Sequence, residues 1–212
     1  MSVARPERSS LTVEGLWEAV AFFAPIALFG LLASVRIVIF VDTHNPVALL
    51  NAFGLAVLTS MFVIRKPARE VDRSLKSLAA AWVGNFLPFA YLLHNETDWA
   101  GRVPLVIEVV ALAFAIWTVL SLRASMGITP ANRGVKTGGP YRFIRHPLYV
   151  CVIVSQVGLL LEYPHPANFV ILATAIVFKG FMIRNEERVL LHDPAYVEYA
   201  KRVKYRAIPG II

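Results

Sequence analysis

Apolar positions in this chain neither alternate nor keep to one helical face; they run on for whole segments. Nearly uncharged stretches cover roughly 15 to 41, 46 to 64, 75 to 93, 103 to 121, 147 to 162 and 166 to 183, separated by clusters of Pro, Gly, Asn, Asp or charge. Such runs approach the roughly 20 helical residues that cross a hydrocarbon core of about 30 Å. The pattern predicts an all-α, polytopic membrane bundle of about six spans. The first run is long enough to tilt, or to kink at Pro25. The fifth, about 22 Å at helical rise, is short for a crossing and leaves a re-entrant segment open.

Composition agrees. Of 212 residues, 57% are hydrophobic and 17% charged, too apolar for an ordinary soluble domain. The opening "MSVARPERSSLTVEG" precedes an apolar run too long for a signal peptide and without a small-residue cleavage site, so it reads as a retained first span. Lone Cys151 has no internal disulfide partner and reads as a small packing residue. No repeat or soluble second domain is visible. The chain divides into N-terminal spans, 1 to 121, and a C-terminal region, 122 to 212, that holds the candidate chemistry.

Charge then orients the bundle. Arg5 and Arg8 precede the first span; Arg65, Lys66, Arg69, Arg73 and Lys76 follow the second; Arg123, Arg133, Lys136, Arg142 and Arg145 follow the fourth. Arg184, Arg188, Lys201, Arg202, Lys204 and Arg206 follow the sixth, whereas the alternate loops "DTHN", "HNETDWAGR" and "EYPHP" hold only Arg102. By the positive-inside rule both termini are cytoplasmic, in an inner or endoplasmic-reticulum-type membrane. The net charge of +7 is accounted for by topology and contact with anionic lipid heads, not by nucleic acid.

The densest polar chemistry stands against the fifth apolar run, in "GGPYRFIRHPLYV". Pro147 suits the first position of a helix, where its missing N–H costs nothing. The last span starts near Pro166, and Glu186 lies about 30 Å further along a helix. A tight hairpin through "EYPHP" therefore returns "RNEER" to the membrane face that carries "RFIRHP". Arg184, Glu187 and Arg188 share a face there, with Glu186 on a neighbouring one. Asp193 and Pro194 then start a further helix, on which Tyr196, Tyr199, Ala200 and Val203 form one stripe and Glu198, Lys201, Arg202 and Lys204 the other. Such a helix lies on the membrane or closes a pocket over the hairpin.

Together, "GGPYRFIRHPLYV" and, some forty residues later, "RNEERVLLHDPAYVEYAKRV" resemble the C-terminal signature of the isoprenylcysteine carboxyl methyltransferase and phospholipid methyltransferase superfamily of integral membrane enzymes. The resemblance covers approximately 115 to 212. It implies S-adenosylmethionine as cofactor, bound at the cytoplasmic surface, and methylation of a lipid-embedded or small hydrophobic acceptor. It further implies a cofactor site built from Gly138, Gly139, Tyr141, Arg145, His146, Pro147, Tyr149, Glu186, Glu187, Tyr196 and Tyr199; the chemistry of the acceptor adds Arg184, Glu187 and His146 as catalytic candidates, and neither motif offers a metal cage. One departure is "HDPAYVEY", where Phe-Gly or Tyr-Gly is commoner, which implies a different local backbone. The ending "VKYRAIPGII" is similar to that of sterol reductases and keeps an NADPH-dependent reductase as a rival, beside a non-enzymatic scaffold or transporter.

The residue types suit this cofactor in their own right. Glu186 or Glu187 can take its ammonium, Arg145 or His146 its carboxylate, and Tyr149, Tyr196 and Tyr199 its adenine or sulfonium. A carboxylate acceptor is already ionised and Arg184 can orient it, whereas an amine or thiol needs a base such as His146 or Glu187. His44, His94 and His165, one in each outward loop, match no ligand spacing and read as loop-end histidines. Glu18, Arg36 and Glu108 are ionisable groups in or near apolar segments, where such groups are paired or functional. Lys179 is expected to snorkel toward the cytoplasmic head groups.

Overall fold

A computed structural model describes residues 13–72, 74–92, 102–127 and 130–208. Helix α1 (Val13–Thr43) runs unbroken through Pro25, and α2 (Pro46–Val63) begins where Asn45 Oδ1 accepts the Val47 N–H at 2.9 Å. After β1 (Glu70–Val71), α3 (Leu75–Phe86) starts on the Ser74 cap, whose hydroxyl accepts the Ser77 N–H. Then come α4 (Val103–Leu122), β2 (Ala131–Asn132), α5 (Pro147–Glu162), α6 (Pro166–Leu190) and α7 (Pro194–Arg202). Among the described residues, α1, α2, α4 and α6 are long and apolar enough to cross a membrane.

The expected third span, 75 to 93, is a shorter object. Its α-helix has 12 residues and tightens into a 3₁₀ turn over Leu87–Ala90. Pro88 is the cause, because it has no N–H to donate and its ring opposes the preceding turn of an α-helix. With α5 at 16 residues, short as its apolar run suggested, the expected set of about six spans consists of four long helices and two short ones among the described residues. His94 and the "HNETDWAGR" loop lie outside the described residues, as do Arg5, Arg8 and Arg73 and the side chain of Glu18.

Packing pairs α1 with α2, α4 with α5, and α3 with α6. Phe29, Phe62, Ala81 and Met182 form the largest core cluster, and Gly84 admits α6, since a Cβ there would stand 2.7 Å from Met182 Sδ. The outward faces stay apolar: Phe23, Leu120 and Val170 are each about two-thirds exposed, a surface suited to lipid and costly in water. Lys179 does not snorkel. It is 1% exposed, with Nζ 5.6 Å from the Tyr149 ring centroid and 3.4 Å from Asn85 Oδ1, so an aromatic face and an amide replace the head groups.

The connections gather at two ends. At one, Asn45 Nδ2 donates to Glu162, and Asn168 bonds both the N–H and the C=O of Leu92. At the other, β1 and β2 form an antiparallel ladder, Glu70 opposite Asn132 and Val71 opposite Ala131, which the all-helical pattern did not announce. Asn132 Nδ2 also donates to Asp193 Oδ2 at 3.0 Å and Arg133 Nε to the Lys66 carbonyl at 3.1 Å. These bonds tie the 64–74 and 123–146 connections to the start of α7.

Candidate active site

The site is built at this second end. Gly139 has φ +57, the left-handed region that favours glycine, and a Cβ there would collide with Ser121 Oγ of α4. It begins a 3₁₀ turn, Gly139–Arg142, that turns the Tyr141 ring inward, 7% exposed. Further on, the chain is strapped from outside: the N–H groups of Arg145 and His146 donate to the carbonyls of Tyr205 and Arg206 at 3.0 and 2.7 Å. Pro147 then opens α5. His146 makes no side-chain cap on that helix, and its imidazole, 5% exposed, turns toward α6 instead.

Facing it, the end of α6 presents two carboxylates. Glu187, 3% exposed, receives Arg145 Nη1 at 2.9 Å, Arg206 Nε at 2.7 Å, His146 Nε2 at 3.3 Å and the Tyr196 hydroxyl at 3.2 Å. A buried carboxylate is tolerated when its lone pairs are satisfied in this way. Glu186 is less engaged. Its Oε2 accepts the Tyr149 hydroxyl at 2.9 Å and lies 3.6 Å from His146 Nδ1, while Oε1 has no partner among the described residues. His146 thus sits between both glutamates, its ring stacked on Tyr149 at 5.7 Å.

Above Glu186 opens a cleft of about 100 Å³ whose walls include Arg133, Lys136, Tyr141, Tyr149, Tyr196 and Tyr199. The Tyr199 hydroxyl donates to the Tyr141 carbonyl at 2.7 Å, which fixes α7 over the 139–142 turn. Burial resists the charged form of His146, but its hydrogen bonds to the Glu186 and Glu187 carboxylates, with their charges, more than offset it and raise the imidazole above its ordinary value. Arg133 is lowered to about 10 by burial and then by the nearby Arg65. Burial raises the phenols of Tyr141, Tyr196 and Tyr199, so all three stay neutral donors.

Of the residues singled out in the sequence, Tyr141, Arg145, His146, Tyr149, Glu186, Tyr196 and Tyr199 line this cleft, and Glu187 lies beneath it as the hub of the ion pairs. Gly139 and Pro147 shape the backbone without lining it, and Gly138 is exposed outside it. Arg184 lies elsewhere. It is exposed and absent from the cleft walls, because α6 turns Ile183, Glu186 and Glu187 inward at that level. Arg133 and Lys136 were missed as site residues. Their sequence signal was only a basic loop, and it is the β1–β2 ladder that carries Arg133 to Glu186.

Residues 103–193 match the family model described as phospholipid methyltransferase. The chain is 34% identical over 119 residues to the cobalt-zinc-cadmium resistance protein CzcN of Cupriavidus metallidurans, covering 53% of this chain and 55% of that protein. It is 41% identical over 118 residues to the nickel-cobalt-cadmium resistance protein NccN of Alcaligenes xylosoxydans xylosoxydans, covering 51% and 53%. The alignments thus span about half the length of these curated relatives. The family match takes in α4, α5, α6 and all of His146, Glu186 and Glu187, so this part of the chain, residues 103–193, is similar to the phospholipid methyltransferase family of the isoprenylcysteine and phospholipid methyltransferase superfamily.

Proposed function

We propose that the protein is a membrane-embedded methyltransferase that uses S-adenosylmethionine and acts on a hydrophobic acceptor of the isoprenylcysteine carboxylate type. The observation that carries this reading is the unequal engagement of two adjacent glutamates. Glu187 is saturated by protein partners, whereas Glu186, its side chain 29% exposed in the cleft, keeps one oxygen free for a ligand cation.

The donor set suits the cofactor. Glu186 matches the α-ammonium, Arg133 and Lys136 the carboxylate, and the tyrosine faces the adenine and sulfonium. Once bound, S-adenosylmethionine supplies an electrophilic methyl group for direct transfer to an aligned acceptor atom. Arg145 and Arg206 hold Glu187, Glu187 and Glu186 hold His146, and these contacts keep the floor of the cleft rigid. The two carboxylates favour the charged form of His146, which makes it less available as a proton acceptor. That favours an acceptor needing no deprotonation: a carboxylate is already a nucleophilic anion at neutral pH, whereas an amine or a thiol must first lose a proton.

The test is a melting curve of purified protein with S-adenosylhomocysteine or NADPH. S-adenosylhomocysteine should stabilise, and Glu186→Gln should weaken that stabilisation; stabilisation by NADPH alone would overturn the reading in favour of a reductase. Transfer from labelled S-adenosylmethionine to a prenylated cysteine, phosphatidylethanolamine and a simple thiol then distinguishes the acceptors. Base-labile ester is the expected product.

A further inference from the structure

A second cavity, of about 140 Å³, lies among α1, α2, α4, α5 and the end of α3 with its 3₁₀ turn, within the apolar part of the bundle. On α5 it is lined from Leu148 to Leu159 by residues three or four apart, so it extends about 16 Å along that helix. Leu148 also lines the Glu186 cleft, and the two spaces meet at that side chain.

Among these apolar walls stand three buried polar groups, Arg36, Glu108 and Gln156, which are 7%, 3% and 5% exposed. Glu108 accepts Ser155 Oγ on both carboxylate oxygens, at 2.9 and 3.0 Å. Arg36 lies in the field of Glu108 and Glu162 and makes no hydrogen bond or ion pair among the described residues. Gln156 Oε1 has no hydrogen-bond partner among the described residues. A buried unsatisfied acceptor costs about 1–3 kcal/mol, and the hydrocarbon around the bundle offers it no water.

We propose that this cavity binds the hydroxyl end of an apolar ligand drawn from the membrane, a long-chain or terpenoid alcohol. A hydroxyl is both donor and acceptor, so it can give its proton to Gln156 Oε1 and receive a hydrogen bond from Arg36. A carboxylate ligand would stand beside the buried Glu108, an ammonium beside Arg36, and an alkane would leave Gln156 unsatisfied. The cavity is close in size to one of about 150 Å³ that admits benzene in another protein, enough for a short end of such a chain. This inference rests on the cavity alone and stands apart from the methyl-transfer reading.

The test uses the full chain in lipid nanodiscs and a photoreactive decan-1-ol that carries a diazirine beside the hydroxyl. Label is expected on peptides of α4 and α5, displaced about tenfold more effectively by decan-1-ol than by decane or decanoate, the ratio that one good hydrogen bond supplies. Gln156→Leu should lower labelling by a similar factor without lowering the melting temperature, because it removes a lone buried acceptor. Gln156→Met, closer in shape, serves if the leucine variant misfolds. Equal displacement by decane would reduce the site to an apolar pocket, and stronger displacement by decanoate would make it an anion site. Labelling that ignores both variants, or that spares α4 and α5, would mean ordinary lipid contact or a cavity holding water. Each of these four results overturns the proposal.

Discussion

Neutralising Glu186 and neutralising Glu187 should have different consequences, because one faces a ligand and the other faces protein. Glu187→Gln leaves Arg145 and His146 without the buried carboxylate that compensates them, a loss of about 3 kcal/mol that a melting curve reads directly. Glu186→Gln keeps an acceptor for the Tyr149 hydroxyl, so stability should change little while S-adenosylhomocysteine affinity falls about tenfold. Arg184→Ala should alter neither, since that side chain is exposed outside the cleft. For His146 the folded imidazole is raised above its ordinary value, so its stabilising contribution is complete at pH below about 6.5 and is lost as pH rises through the folded value. The difference in melting temperature between wild type and His146→Gln should therefore be largest at acidic pH and shrink in alkali.

At the scale of elements, α7 and the segment after it form the outer wall of the cleft. Tyr196, Tyr199 and Val203 pack with Tyr141, and the 205–206 carbonyls receive the Arg145 and His146 amides. Tyr199→Phe removes the bond to the Tyr141 carbonyl and should cost about 1 kcal/mol, with faster proteolysis within 190–208 as the readout. The apolar stripe of α7 was legible because a period of 3.6 survives in a short amphipathic helix. The length of the third apolar segment was misleading. Hydropathy runs through Pro88 without interruption, whereas the helical hydrogen-bond ladder does not.

For the whole molecule, the described lysines and arginines of the connections crowd the end that carries the cleft, and we propose that this end faces the cytoplasm. Cysteines introduced singly at Lys136 and Lys204 should be shielded from a membrane-impermeant maleimide in intact cells, while one at Arg102, at the opposite end of the helices, should react. Reaction of Lys204→Cys from outside would invert the bundle.

Hydropathy and charge by themselves determined that the chain is a helical membrane protein, because burial in hydrocarbon demands long uncharged helices whatever their arrangement. The sequence likewise brought His146 and the Glu186–Glu187 pair to one membrane face, since a helix of known rise returning through a tight turn leaves its ends little freedom. Only the tertiary structure decided which glutamate is saturated, that Lys179 is buried against Tyr149, that Arg184 faces away, and that Arg133 reaches the cleft. Each of these depends on contacts between residues tens of positions apart, such as Glu187 with Arg145 or β1 with β2. Local periodicity records which face of a helix is apolar, and it carries no record of the partner that covers it.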